Sequence, residues 1–173
     1  MRFYFFRHTM KKADGSISPE GAALAETVGT ERLGGRDVEF IMVSHQPRTE
    51  QTARAMLKNA NLKEADIVLP FVVDALDSPD TKEWIEYIQA TEGNLDQDHP
   101  FVADEAERMK EDFLDLVGVM PEDGNFVAVG HAGMLEALIE ELTGVMLKPL
   151  RECEGAIVDR VNGKFQLVEE LRR

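Results

Sequence analysis

The sequence of 173 residues has one cysteine, one tryptophan and two tyrosines, and only 19 Lys plus Arg against 33 Asp plus Glu. Cys153 alone closes no internal disulfide and belongs to no Cys-x-x-Cys pair. That excludes a disulfide-built scaffold and a thiolate metal or redox pair, and the expected compartment is the reduced cytoplasm. Long hydrophobic runs are also missing. Phe3 to Phe6 meets Arg7 at once, too short for the apolar core of a secretory leader or a membrane span, so a soluble chain is expected. The shortage of cations leaves a formal net charge of −14, which repels nucleic acid and anionic membranes over most of the surface. Tyr4, Trp84 and Tyr87 form no stacking pattern for single strands. An anionic ligand must therefore be met by a local cluster of basic groups. A chain of this length buries roughly 70% of its unfolded surface, enough for one ordinary domain over residues 1–173 without staples.

The apolar pattern alternates between strand and helix. Arg2 to Phe6 reads as a buried strand. Ser18-Pro19-Glu20 supplies an N-cap, a first-turn proline and an acidic first turn for a helix running to about Leu33, where Gly34-Gly35 stops it. Phe40 to Val43 is a second strand, and Pro47 opens a helix to about Ala60. Ile67 to Val73 is a third strand interrupted by Pro70, with an acidic loop and a helix from about Pro79 to Thr91 after it. Ala106, Met109, Phe113, Leu116 and Val117 mark one buried face of a helix over Phe101 to Val117. Phe126 to Val129 is a fourth strand, followed by a helix from Met134 to Leu142 whose Met134, Leu135, Leu138 and Ile139 read as core. Asn162-Gly163 is a hairpin turn between two final strands, Ala156 to Val161 and Lys164 to Val168. These elements predict a three-layer α/β/α domain with a mostly parallel central sheet and an antiparallel edge from the C-terminal hairpin.

In such sheets the ligand crevice lies beyond the carboxyl ends of the strands. Three of those ends carry basic or imidazole groups here: Arg7-His8 after the first strand, Ser44 and Arg48 after the second, and Gly130-His131 after the fourth. The planar fork of arginine matches phosphate oxygens, so two arginines converging in an acidic protein point to a dianion site. Between them one neutral imidazole can attack phosphorus while a second hydrogen-bonds an equatorial oxygen. No pair among His8, His45, His99 and His131 has the helical i, i+4 spacing of a metal site, and Asp96-Gln97-Asp98 lacks the glycine and distal glutamate of a calcium loop. No metal or cofactor is expected. Gly130 and Gly133 make no dinucleotide fingerprint.

Four segments, in order, carry a resemblance to the histidine phosphatase superfamily with its phosphoglycerate-mutase-like fold. Arg7-His8-Thr9 resembles the family's Arg-His-Gly, and Ile17-Ser18-Pro19-Glu20-Gly21 its helix-opening segment. Ser44-His45-Gln46-Pro47-Arg48-Thr49-Glu50-Gln51-Thr52-Ala53 is similar to its Ser-Pro-x-x-Arg-Ala-x-Gln-Thr-Ala, and Val129-Gly130-His131-Ala132-Gly133 matches its second histidine block. The resemblance implies that His8 is the phosphorylated nucleophile and that Arg7, Arg48 and His131 complete a phosphate pocket, with Ser44 a further donor and no metal required. Two departures stand out: Thr9 replaces the family glycine, with a side chain that narrows the pocket or adds a hydroxyl, and His45 replaces a proline.

A proton donor to the leaving group is expected in the acidic loop after the third strand, where Asp77 is the first candidate and Asp80 and Glu83 the others. The loop does not reproduce the family's Leu-x-Glu spacing, since Ser78 stands two after Leu76. A displaced acid matters least for a good leaving group such as imidazole. Together with a short chain lacking the long insertions of the mutases, this resembles the SixA-type phosphohistidine phosphatases and implies a phosphohistidine on a signalling protein as substrate. Hydrolysis of small phosphomonoesters is the alternative within the family. A phosphate- or phosphopeptide-binding module without turnover is the alternative outside enzymology.

Overall fold

The computed structural model describes residues 1–44, 46–62, 68–70 and 100–173, together with Lys82, Glu86, Tyr87, Ala90 and Thr91. Its centre is β1 (Arg2–Arg7), whose four consecutive aromatic residues are wholly buried because both faces of the strand are covered. β1 pairs in parallel with β6 (Asn125–Gly130), which pairs in parallel with β3 (Phe40–Val43), which pairs in parallel with β5 (Val68–Pro70). On the other side β1 pairs antiparallel with β7 (Gly155–Val161), followed by the edge strand β8 (Lys164–Leu171). The six-stranded order is thus β5-β3-β6-β1-β7-β8. Asn162 and Gly163 both take positive φ, 51° and 77°, the geometry a two-residue turn needs to follow the twist of the strands. A small pair, β2 (Asp37–Val38) with β4 (Asn61–Leu62), lies outside this sheet.

Strand alternation sends Phe3 and Phe5 to one face and Tyr4 and Phe6 to the other. The first face packs against α3 (Pro100–Gly118) and α4 (Met134–Thr143), with Phe3 and Phe126 rings stacked 5.1 Å apart. The second packs against α1 (Pro19–Leu33) and α2 (Pro47–Met56), which continues as one 3-10 turn, Leu57–Asn59. This is the expected three-layer arrangement with a parallel centre and an antiparallel edge. α1 begins as read, with Ser18 Oγ accepting from Gly21 N at 3.0 Å. α1 and α2 approach so closely at Gly29 that a side chain there would collide with the Met56 carbonyl. Among the described residues, no helix is long and apolar enough to cross a membrane.

Candidate active site

The order β3-β6-β1 puts the carboxyl ends of three parallel strands side by side, and with them Ser44, His131 and Arg7-His8. Arg7 closes β1 opposite Gly130. Its backbone is fixed by Arg7 N donating to Glu154 O (2.8 Å) and by Cys153 N donating to Arg7 O (3.1 Å). Its guanidinium donates through Nη1 to Leu150 O (2.6 Å), and Nη2 lies 3.3 Å from Glu152 Oε1. Its buried Nε–H has no hydrogen-bond partner among the described residues.

The tautomer of His8 follows from its two neighbours. Thr9 O, 2.6 Å from Nδ1, can only accept, so Nδ1 carries the proton. Arg48 Nε, 3.2 Å from Nε2, can only donate, so Nε2 carries the lone pair. Arg48 reaches both histidines, with Nη2 3.4 Å from His131 Nδ1, while Nη1 donates to Gln46 Oε1 at 3.0 Å. With Nδ1 of His131 accepting, its Nε2–H donates to Ser44 Oγ at 2.9 Å. Ser44 in turn faces Thr49 Oγ1 at 3.1 Å, and Thr49 donates to Gln46 O at 2.7 Å. The polar chain thus ends on backbone. The two imidazole rings stand edge to face with centroids 5.1 Å apart.

Burial is the main reason both imidazoles stay neutral. His8 is pushed down to about 4, by desolvation first and then by the charges of Arg48, Arg7 and Lys11, against a raising hydrogen bond to Thr9. His131 is pushed down to about 3, by desolvation, then by His8 and the same three cations. Among the described residues, the charged side chains that weigh on both rings are Arg7, Lys11 and Arg48, which suit an anion.

The structure brings together five of the residues singled out in the sequence: Arg7, His8, Ser44, Arg48 and His131. Asp77 lies outside the described residues, as do Asp80, Glu83, His45 and His99. The expectation for Thr9 is corrected. Its side chain neither narrows the pocket nor offers it a hydroxyl, because it is fully buried and donates to Gly21 O at 2.9 Å, beneath α1. Thr9 N donates to Thr52 Oγ1 (3.2 Å), and Thr52 donates to Arg48 O (2.6 Å), so the loop that carries His8 is tied to the first turn of α2. Sequence reading missed Thr49 and Gln46, which support Ser44 and Arg48, and also Glu136. A glutamate three residues after Gly133, the N-cap of the helix from Met134, is a half capping box and was a readable signal. Among the described residues, no group of three or more imidazole, thiol and carboxyl side chains is placed to hold a metal ion.

Fold and site define a class: an α/β protein in which neighbouring parallel strands end in two neutral imidazoles, with two guanidiniums beside them. The chain belongs to the histidine phosphatase superfamily (branch 1), whose family pattern matches residues 7–161. Solved structures share the fold along nearly the whole length. A phosphoserine phosphatase from Entamoeba histolytica, bound to phosphoserine, is 17% identical, with a TM-score of 0.64 over 98% of this chain and 96% of its own. A putative α-ribazole-5′-phosphate phosphatase from Escherichia coli is 20% identical, with a TM-score of 0.69 over 99% and 97%. A mycobacterial glucosyl-3-phosphoglycerate phosphatase in complex with vanadate is 18% identical, with a TM-score of 0.65 over 99% of both chains. Among curated proteins, none matches the chain.

Proposed function

We propose that the chain is a metal-independent phosphatase acting through a phosphohistidine intermediate on His8, within a single domain. The observation that carries this reading is the state of His8: a neutral ring with its proton held on Nδ1 by Thr9 and its lone pair on Nε2 facing Arg48. Nε2 attacks phosphorus, the bond to the leaving group breaks, and its electron pair leaves with that group, which takes up a proton. Water then attacks the phosphoryl group, phosphate departs and the lone pair returns to Nε2. Arg48 and Arg7 hold the oxygens, and His131 donates to one of them when its Nε2–H leaves Ser44 Oγ, its partner in the free site. Donors aimed at developing charge are typically worth about 10²–10³ in rate each.

The proposed substrate is a phosphohistidine side chain on a signalling protein, as in the SixA-type enzymes that the sequence resembles. Supporting it, the charged groups among the described residues that weigh on both imidazoles are Arg7, Lys11 and Arg48. These suit a dianion, and imidazole, a good leaving group, depends least on a proton donor. For ester substrates Asp77 is the proposed donor. A second reading, hydrolysis of small phosphoesters, is favoured by the solved relatives, whose names include phosphoserine, α-ribazole-5′-phosphate and glucosyl-3-phosphoglycerate phosphatases.

Hydrolysis of a phosphohistidine-bearing protein and of an aryl phosphate, measured side by side in a metal chelator, separates the readings. Turnover of the first far above the second is expected. Equal or better turnover of the ester would move the substrate to small phosphoesters, turnover only on adding metal would refute metal independence, and phosphopeptide binding with no turnover would leave a binding module.

A further inference from the structure

Glu136 is 4% exposed, and burial pushes its carboxyl up. A carboxylate so deeply placed is costly unless its oxygens are fully used. Here Oε2 accepts from Gly133 N at 2.7 Å, the first free N–H of α4 and two residues beyond His131. That bond alone would serve as a helix cap. The other oxygen does something a cap does not need: Oε1 accepts from Leu150 N at 2.7 Å, fourteen residues further along the chain. Leu150 is the residue whose carbonyl receives Arg7 Nη1 at 2.6 Å. One side chain therefore joins the turn carrying His131 to the loop that aims Arg7.

We propose that Glu136 is a positioning residue for the phosphate pocket, holding the Leu150 carbonyl, and through it the Arg7 guanidinium, in register with His131. The inference rests on the reading of Arg7 as a phosphate ligand. A helix cap without this coupling would lower stability and leave the pocket's response to Arg7 unchanged.

The test is a double-mutant cycle of Glu136→Gln and Arg7→Ala, read as kcat/KM for an aryl phosphate and as the NMR shift of the Arg7 Nε–H. In Glu136→Gln an amide N–H must face one of two backbone N–H groups, so one bond is lost and the loop is released. Glu136→Asp, shorter by one methylene but still charged, is measured beside it in case the glutamine variant does not fold. With Arg7 present, each Glu136 variant should lower kcat/KM by about 10- to 100-fold, the size of a lost charge-assisted hydrogen bond, and shift the Arg7 Nε–H resonance. With Arg7→Ala, the same change should lower it less than twofold. Equal losses in both backgrounds, or no loss in either, would overturn the coupling while leaving Arg7 as a phosphate ligand. Near-native kcat/KM in Arg7→Ala alone would instead overturn the reading of the pocket, and the coupling with it.

Discussion

Neutral imidazoles at the site make stability depend on pH in a way that His8→Gln should partly remove. In the unfolded chain His8 and His131 titrate near 6.5, as exposed histidines do. In the fold they are pushed to about 4 and about 3, so at pH 5 both remain neutral in the native state while their unfolded counterparts are nearly all protonated. The unfolded state then binds more protons, and stability rises with pH through this window. The contribution is fully present above pH 6.5 and is lost as pH falls from 6.5 toward 4 for His8 and toward 3 for His131. Between pH 7.5 and pH 5.0 each histidine accounts for about 2 kcal/mol of lost stability. At pH 5 that size is set almost entirely by the unfolded chain, because the folded rings have taken up at most about a tenth of a proton each. Urea unfolding at the two pH values, for the wild type and His8→Gln, gives the comparison. The gap between pH values should shrink by about 2 kcal/mol in the variant, with His45 and His99 cancelling because both proteins carry them. Equal gaps would show that His8 titrates like an exposed histidine and would refute the desolvated, neutral nucleophile.

Other substitutions test the supporting geometry. Arg48→Lys keeps the charge but cannot reach His8, His131 and Gln46 together, and should lower kcat/KM by about 10²-fold in steady-state assays without unfolding the protein. Thr9→Val should cost about 1 kcal/mol in chemical denaturation, through the lost bond to Gly21 O, and leave kcat/KM within a few-fold, since that hydroxyl points beneath α1. Gly29→Ala should destabilise by at least about 1–3 kcal/mol in a thermal melt, because the new methyl group must push α1 away from the Met56 carbonyl. A neutral or stabilising outcome would contradict the close helix contact.

Much of the fold was legible because its signals are local. Ser18-Pro19-Glu20 opened α1 where read, Asn162-Gly163 turned the final hairpin, and the unbroken Phe3–Phe6 run marked a strand buried on both faces. The site was legible for another reason: its residues sit at strand ends, so naming the strands placed Arg7, Ser44 and His131 on one edge. What local pattern did not carry was pairing at a distance. The two-residue strands β2 and β4 have too little sequence to show a period, and they exist because Asp37 and Asn61 are brought together by α1 and α2. The direction of the Thr9 side chain was misread, since it depends on Gly21, twelve residues on, leaving room for it. For Glu136 the cap bond to Gly133 N was readable, but its second partner, the Leu150 N–H, is a backbone group that no residue type announces.

The central claim is that His8 Nε2 carries the phosphoryl group during turnover, and a rapid quench tests it most directly. The enzyme is mixed with labelled substrate, quenched in alkali where phosphohistidine survives, and digested for mapping. Stoichiometric, acid-labile phosphate on His8 within the first turnover, absent in His8→Gln, is the predicted result. Full turnover with no label on His8, or label on another residue, would contradict the account.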